Sequence, residues 1–246
     1  MHISHRFFTF FFLLFGSIPA FAGQDLDYTV DDTTYQGYLV NSGSEAPTIL
    51  LLHDWDGLTD YEKKRAEMLG DMGYSVFAAD LFSKGVRPTT VTDKRQHTGE
   101  LYKDRQKLRS LITGALETAK SQGLNSEKVV AMGYCFGGAA VLELARSGVP
   151  LTGFVTLHGG LATPDGQDYS EAKGQYLIFH GSADSNVTMT HFANLAEELE
   201  GYQLNHEMIT YGGAPHAFTV FGSKAYRAEA DRKSWQRFGE WLQEVF

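Results

Sequence analysis

The chain is poor in cysteine: its 246 residues contain one, Cys135. A single cysteine excludes an internal disulfide and leaves the thiol free, oxidised or bonded to another molecule. Basic residues are also in deficit, 21 Lys and Arg against 30 Asp and Glu, for a formal charge of −9. That balance repels an extended phosphate backbone, so nucleic acid is not an expected partner. His-Glu-x-x-His, Cys-x-x-Cys and other metal-ligand spacings are missing, and neither metal nor cofactor is expected. No repeat or low-complexity linker divides the chain. Long apolar runs are scarce as well: Phe7 to Phe15 stands alone and is too short for an ordinary membrane span. With Arg6 before it and Ala20-Phe21-Ala22 after it, this run reads as a signal peptide, residues 1–22, cleaved after Ala22. An uncleaved anchor is the lesser alternative. The expected product, Gly23 to Phe246, is a single exported, periplasmic domain of 224 residues without stable membrane insertion, large enough for one α/β core.

What is present centres on Val129-Val130-Ala131-Met132-Gly133-Tyr134-Cys135-Phe136-Gly137-Gly138. An apolar strand runs there into a helix, and Gly133-x-Cys135-x-Gly137 is the cysteine form of a nucleophile elbow. In that turn a strained residue is lifted above the sheet, and flanking glycines let strand and helix approach closely. The sulfur would stand at a helix N-terminus, where unpaired amides and the helix dipole favour a thiolate and an incoming oxyanion. A lone cysteine in apolar surroundings is more commonly a small core residue. Here the glycine spacing and suitable partners downstream favour the nucleophile.

The strand Gln175 to Gly181 leads into Ser182-Ala183-Asp184, which places an acid 49 residues after Cys135. The strand Glu207 to Tyr211 leads into Gly212-Gly213-Ala214-Pro215-His216, which places a base 32 residues later. Singly, each has a plainer reading: Asp184 organising its loop through Asx hydrogen bonds, and His216 as a satisfied polar residue beside Pro215. Together, in the order nucleophile, acid, histidine, they form a candidate triad on loops at strand ends. His53, His158 and His180 also fall at strand ends, as candidates to cap a loop or line a pocket.

Elsewhere, Asp27 to Val30 and Thr34 to Val40 read as a hairpin, and Thr48 to His53 as a buried central strand. Asp60 to Met72 reads as a helix, Ser75 to Ala79 as a strand, Asp80 to Thr98 as a long turn-rich loop and Glu100 to Lys120 as one helix. After the elbow helix come the strand Gly153 to His158 and the helices Met189 to Glu200 and Ala228 to Val245. Trp235, Phe238, Trp241 and Leu242 on the last helix are spaced to cover a sheet face. The alternation predicts a doubly wound, mostly parallel sheet with an N-terminal antiparallel hairpin and helices on both faces.

The chain resembles the dienelactone hydrolase family of the α/β-hydrolase fold. The resemblance runs through Leu51-Leu52-His53-Asp54-Trp55-Asp56-Gly57-Leu58, Ala79-Asp80-Leu81-Phe82, the elbow, His180-Gly181-Ser182-Ala183-Asp184 and Pro215-His216-Ala217-Phe218. It implies a triad of Cys135, Asp184 and His216 and an oxyanion hole from the Trp55 and Phe136 amides. The implied activity is hydrolysis of a small-molecule ester, lactone or thioester through an acyl-cysteine. Two departures stand out. Asp54 occupies the place of a family glutamate that holds the resting thiol; it either modulates the nucleophile in that way or only fixes the oxyanion-loop backbone. The family's carboxylate-clamping arginine after the histidine is replaced by Thr219 or Val220, which leaves Lys84 and Arg87 as cationic candidates in a pocket with Phe82 and Tyr134. Two other functions compete, a thiol redox or peroxide-responsive protein and a non-catalytic ligand-binding member of the fold.

Overall fold

A computed structural model describes residues 23–246; the expected signal peptide lies outside the described residues. The hairpin forms first in the chain. Strands β1 (Gln24–Val30) and β2 (Thr33–Val40) pair antiparallel, and Asp31 and Asp32 close the turn with φ of 46° and 61°. Two positive φ values in a two-residue turn match the right-handed twist of the flanking strands. The remaining strands are β3 (Thr48–Leu52), β4 (Ser75–Ala79), β5 (Val129–Tyr134), β6 (Gly153–Leu157), β7 (Gln175–Gly181) and β8 (Asn205–Tyr211). They build one eight-stranded sheet in the order β1-β2-β4-β3-β5-β6-β7-β8, parallel from β4 onward. Central strands β3, β4, β5 and β6 are buried along their whole length, which explains their near-continuous apolar sequences.

The helices are α1 (Asp60–Asp71), α2 (Val91–Lys103), α3 (Arg105–Ser121), α4 (Phe136–Arg146), α5 (Met189–Gly201) and α6 (Ala228–Val245). Two apolar layers enclose the sheet. On one face Leu108, Ile112, Val141, Leu144, Leu195 and Leu199 bring α3, α4 and α5 onto Leu50, Leu52 and Ile178. On the other, Ala66, Leu69, Phe238, Trp241 and Leu242 bring α1 and α6 onto Ile49, Leu51 and Val130. The tryptophan-bearing stripe of α6 therefore packs as its spacing predicts. No described helix is long and apolar enough to cross a membrane.

One segment differs from its sequence reading. The stretch expected to be a loop to Thr98 turns helical at Val91, and the single helix expected from Glu100 to Lys120 is broken at Asp104. Asp104 ends α2 and caps α3, its carboxylate accepting the Lys107 amide at 2.9 Å. A short acidic side chain competes well for such an orphan amide, so it starts a helix better than it continues one. Helix α2 escapes detection because only Thr98 and Leu101 of its thirteen residues are buried, too few to set a helical period.

Candidate active site

The chain runs from β3 outward to β4, then returns to place β5 on the other side of β3. This reversal opens a crevice at the carboxyl ends of β3 and β5, where ligands settle in open α/β sheets. Leu52 pairs with Gly133 there, so the segments that follow, His53 to Leu58 and Tyr134 to Gly138, emerge side by side. Cys135 sits at the turn with φ 51° and ψ −108°, a strained backbone for a residue with a Cβ. Neighbouring glycines permit it. A Cβ on Gly133 would lie 2.3 Å from the Gly137 carbonyl, and one on Gly137 would lie 2.2 Å from the Leu52 oxygen.

The loops after β7 and β8 bring the acid and the base to the sulfur. His216 Nε2 is 3.0 Å from Cys135 Sγ, and His216 Nδ1 is 2.6 Å from Asp184 Oδ2. The other Asp184 oxygen accepts the amides of Asn186 and Val187 at 2.8 and 2.9 Å. One Asp184 oxygen thus faces the imidazole while the other organises its loop. Burial by itself would raise the Asp184 pKa, but the His216 hydrogen bond and the two amides hold it below the usual carboxylate value. Burial would likewise lower the His216 pKa; the bonds to Asp184 and Cys135 outweigh it and carry the imidazole up to about 10. At neutral pH the histidine is therefore cationic, beside a sulfur at a helix N-terminus.

The three other strand-end histidines serve the scaffold. His53 Nδ1 donates to the Asp54 carbonyl at 2.6 Å and its Nε2 accepts the Leu81 amide at 3.0 Å, a pattern that fixes a neutral tautomer. Burial keeps its pKa low. His158 bonds Thr219 Oγ1 at 2.8 Å and stands edge-on to His216 at 5.4 Å; burial holds it neutral as well. His180 is buried and stacks on Phe192.

Trp55 and Phe136 stand in the segments that leave β3 and β5, and neither amide donates a hydrogen bond within the described residues. Asp54 does not reach the thiol. Its Oδ1 accepts the Asp56 amide at 3.0 Å, a bond within the loop after β3. Asp54, Asp56 and Glu62 place carboxylate oxygens within 4.8 Å of one another. Lys94 offers a cation, 3.1 Å from Asp56. Burial, with Asp56 and Glu62 adding, raises the Asp54 pKa far enough to keep it protonated at neutral pH. Burial would raise Asp56 too, but bonds from Asp54 and Lys94 leave it ionised. Glu62 is pushed up to about 7 by its burial, against the bonds it accepts from Thr59. With a proton, an ammonium and the Thr59 donors already engaging these oxygens, the trio satisfies itself as a hydrogen-bonded cluster rather than as an ion cage. Sequence reading missed Glu62, although Thr59-x-x-Glu62 is a capping-box pattern and forms one here.

The expected pocket lining is not brought together. Tyr134 is fully buried against Tyr61 and His158 on the α1 and α6 face. Lys84 pairs with Asp27 on the N-terminal hairpin. Arg87 is spent on the Leu58 and Val86 carbonyls and on Asp80. Phe82 is buried among His53, His97 and Phe136. Instead, a cavity of 360 Å³ on the α3 and α5 side adjoins the elbow, lined by Tyr102, Arg105, Ala139, Gly160, Leu161 and Val187 among others. Two of its lining residues bond candidate site residues: the Gly160 amide bonds the Cys135 backbone carbonyl, and the Val187 amide bonds Asp184 Oδ1. A larger groove of 960 Å³ between α3 and the β1–β2 turn contains none of the candidate residues.

Comparison with known proteins agrees with this architecture. Residues 35–246 match the family model described as the dienelactone hydrolase family. Proteins named provisionally as carboxymethylenebutenolidases are 24% identical in Saccharolobus solfataricus, over 90% of this chain and 98% of that one, and 24% identical in Synechocystis, over 84% and 90%. The crystal structure of a dienelactone hydrolase-like promiscuous phosphotriesterase from metagenomic libraries superimposes with a TM-score of 0.83 at 30% identity, covering 91% of this chain and 98% of the other. A family match across nearly the whole described chain, joined to this sheet order, makes the protein a hydrolase of the dienelactone hydrolase family, with the α/β-hydrolase fold.

Proposed function

We propose that this chain is an exported cysteine hydrolase of small esters or lactones, and that the observation carrying this reading is the hydrogen-bonded line Cys135 Sγ, His216, Asp184. The thiolate of Cys135 attacks the substrate carbonyl carbon, and the electron pair of the C=O bond moves onto oxygen. That oxyanion faces the Trp55 and Phe136 amides, each worth about 3 kcal/mol of transition-state stabilisation in comparable sites. Collapse breaks the acyl–oxygen bond, and imidazolium His216 donates its proton to the departing alkoxide. Neutral His216 then takes a proton from water, which opens the thioester and returns the thiolate. Asp184 holds the imidazole in the required tautomer and stabilises its cation. In a lactone the alcohol stays tethered to the acid, so ring opening releases no separate leaving group. Thioesters suit the same chemistry. The phosphotriesterase activity of the 30% identical neighbour supports adding an aryl phosphotriester to the probes.

The decisive experiment is a burst assay with reduced protein on an activated aryl ester, a thioester and a simple lactone. A stoichiometric burst followed by turnover is expected, absent from Cys135→Ala and His216→Ala. Oxidant-driven turnover that survives loss of Asp184 and His216 would instead favour thiol redox chemistry. Ligand stabilisation without product would favour a binding protein. An independent check is the imidazole itself: NMR titration should find His216 near 10, and lower in Cys135→Ala, because the sulfur is one of the groups that raise it. Export is tested by N-terminal sequencing of the periplasmic protein, with Gly23 the expected first residue.

A further inference from the structure

Helix α2 contributes little to the core, yet its side chains reach both residues whose amides form the proposed oxyanion hole. Lys94 Nζ lies 3.1 Å from Asp56 Oδ2 and 5.1 Å from the centroid of the Trp55 ring, with 16% of its side chain exposed. Two turns on, Tyr102 meets the Phe136 ring edge-on at 5.4 Å. His97, between them, packs on Phe82, which itself rests on Phe136. The oxyanion loop needs such support. Gly57, at φ 88°, gives it freedom to turn, and the Trp55 amide has no partner within the described residues. The loop's ties to α1 are one long bond from the Asp54 amide to Glu62, 3.4 Å, and the caps around Thr59. An ammonium held between a carboxylate and an indole face is attracted to both and excludes much of the water that would weaken either contact.

We propose that Lys94 is the positioning residue of the oxyanion hole: bridging Asp56 and the Trp55 ring, it fixes the Trp55 amide opposite the Phe136 amide, with α2 as the clamp. This deepens the hydrolase reading of the same site and rests on it. Lys94 touches no reacting atom, so its effect falls on steps that build an oxyanion.

Two rates measured on the full chain separate that role from general support. Acylation by an activated aryl ester builds a tetrahedral oxyanion; alkylation of Cys135 by iodoacetamide displaces iodide at a saturated carbon and builds none. Lys94→Met should slow the burst by about tenfold to a hundredfold, the range expected for a displaced donor, and leave alkylation at the wild-type rate. Lys94→Arg, which restores a cation over the ring, should recover most of the burst. Asp56→Asn should reproduce the split if the methionine variant folds poorly. The inference is overturned if burst and alkylation fall together, if arginine rescues nothing, or if Lys94→Met acylates like wild type. A wild-type protein that alkylates but shows neither burst nor turnover would sink the hydrolase reading itself, an outcome seen before any variant is made.

Discussion

Two carboxylate sites flank the Cys135 elbow, one a lone Glu143 and the other the Asp54, Asp56 and Glu62 trio, and they solve the same problem in opposite ways. On α4, Glu143 is fully buried and surrounded by cations: Arg109 at 2.6 Å, Arg146 at 2.9 Å and Arg105 at 3.8 Å. Burial would raise its pKa, but Arg146 and Arg109 outweigh that and hold it below the usual value. Beside the oxyanion loop, among the described residues, the trio has Lys94 as a cationic partner, paired with Asp56, and Asp54 keeps a proton. The elbow helix is therefore pinned by permanent charges, and the oxyanion loop by a neutral acid, amide hydrogen bonds and one ion pair. On the proposed mechanism, fixed charge suits the element that presents the thiol, while a neutral Asp54 and a Lys94-paired Asp56 anchor the loop without an unpaired anion beside the proposed oxyanion hole.

The comparison is most easily broken at Glu143. Glu143→Ala leaves Arg146 buried with only Tyr169 and Gln167 as partners, and should cost about 3–5 kcal/mol in thermal or urea unfolding. Glu62→Ala removes the acceptor for the Thr59 amide and hydroxyl and the Asp54 amide, and should cost about 1–3 kcal/mol. Asp54→Asn should be close to neutral, within about 1 kcal/mol at pH 4, because asparagine keeps the acceptor for the Asp56 amide and replaces the carboxyl proton with an N–H, and should gain on wild type as pH rises.

Acid–base behaviour sharpens the contrast. Asp54 and Glu62 have raised folded-state values, so their contribution is complete below the unfolded pKa near 4 and is lost as pH rises, for Glu62 through about 7. Glu143 has a lowered value, so its contribution stands above 4.5 and is lost only in stronger acid. Stability curves from pH 4 to 8 should therefore be flatter in Asp54→Asn than in wild type, by at most about 1.4 kcal/mol per pH unit per proton. An unchanged slope would place the proton elsewhere.

The elements that were legible in the sequence are those with a strong period or a rigid spacing. The buried strands, the elbow glycines and the order of Cys135, Asp184 and His216 can all be read along the chain, and the structure brings these three side chains together. Tyr134 was also within reach: counting alternate residues from Val130 and Met132 places it on the α1 and α6 face, away from the cavity. The Asp56–Lys94 pair was not, because it joins residues 38 apart through a helix whose exposed surface hides its period. Lys84 was misplaced for a similar reason, since its partner Asp27 lies 57 residues away on the hairpin.

The elbow carries a consequence for how this lineage can change. Gly133, Gly137 and Gly138 each have backbone within 2.6 Å of where a Cβ would stand, and position 135 is confined by its positive φ as well as by its sulfur. Of the six residues from Gly133 to Gly138, only 134 and 136 are open to drift, and both are buried between aromatic neighbours that would have to change with them. On the proposed hydrolase reading, divergence in substrate range would be channelled away from the elbow and into the walls of the adjoining cavity, where side chains can turn over without disturbing the turn that presents the thiol.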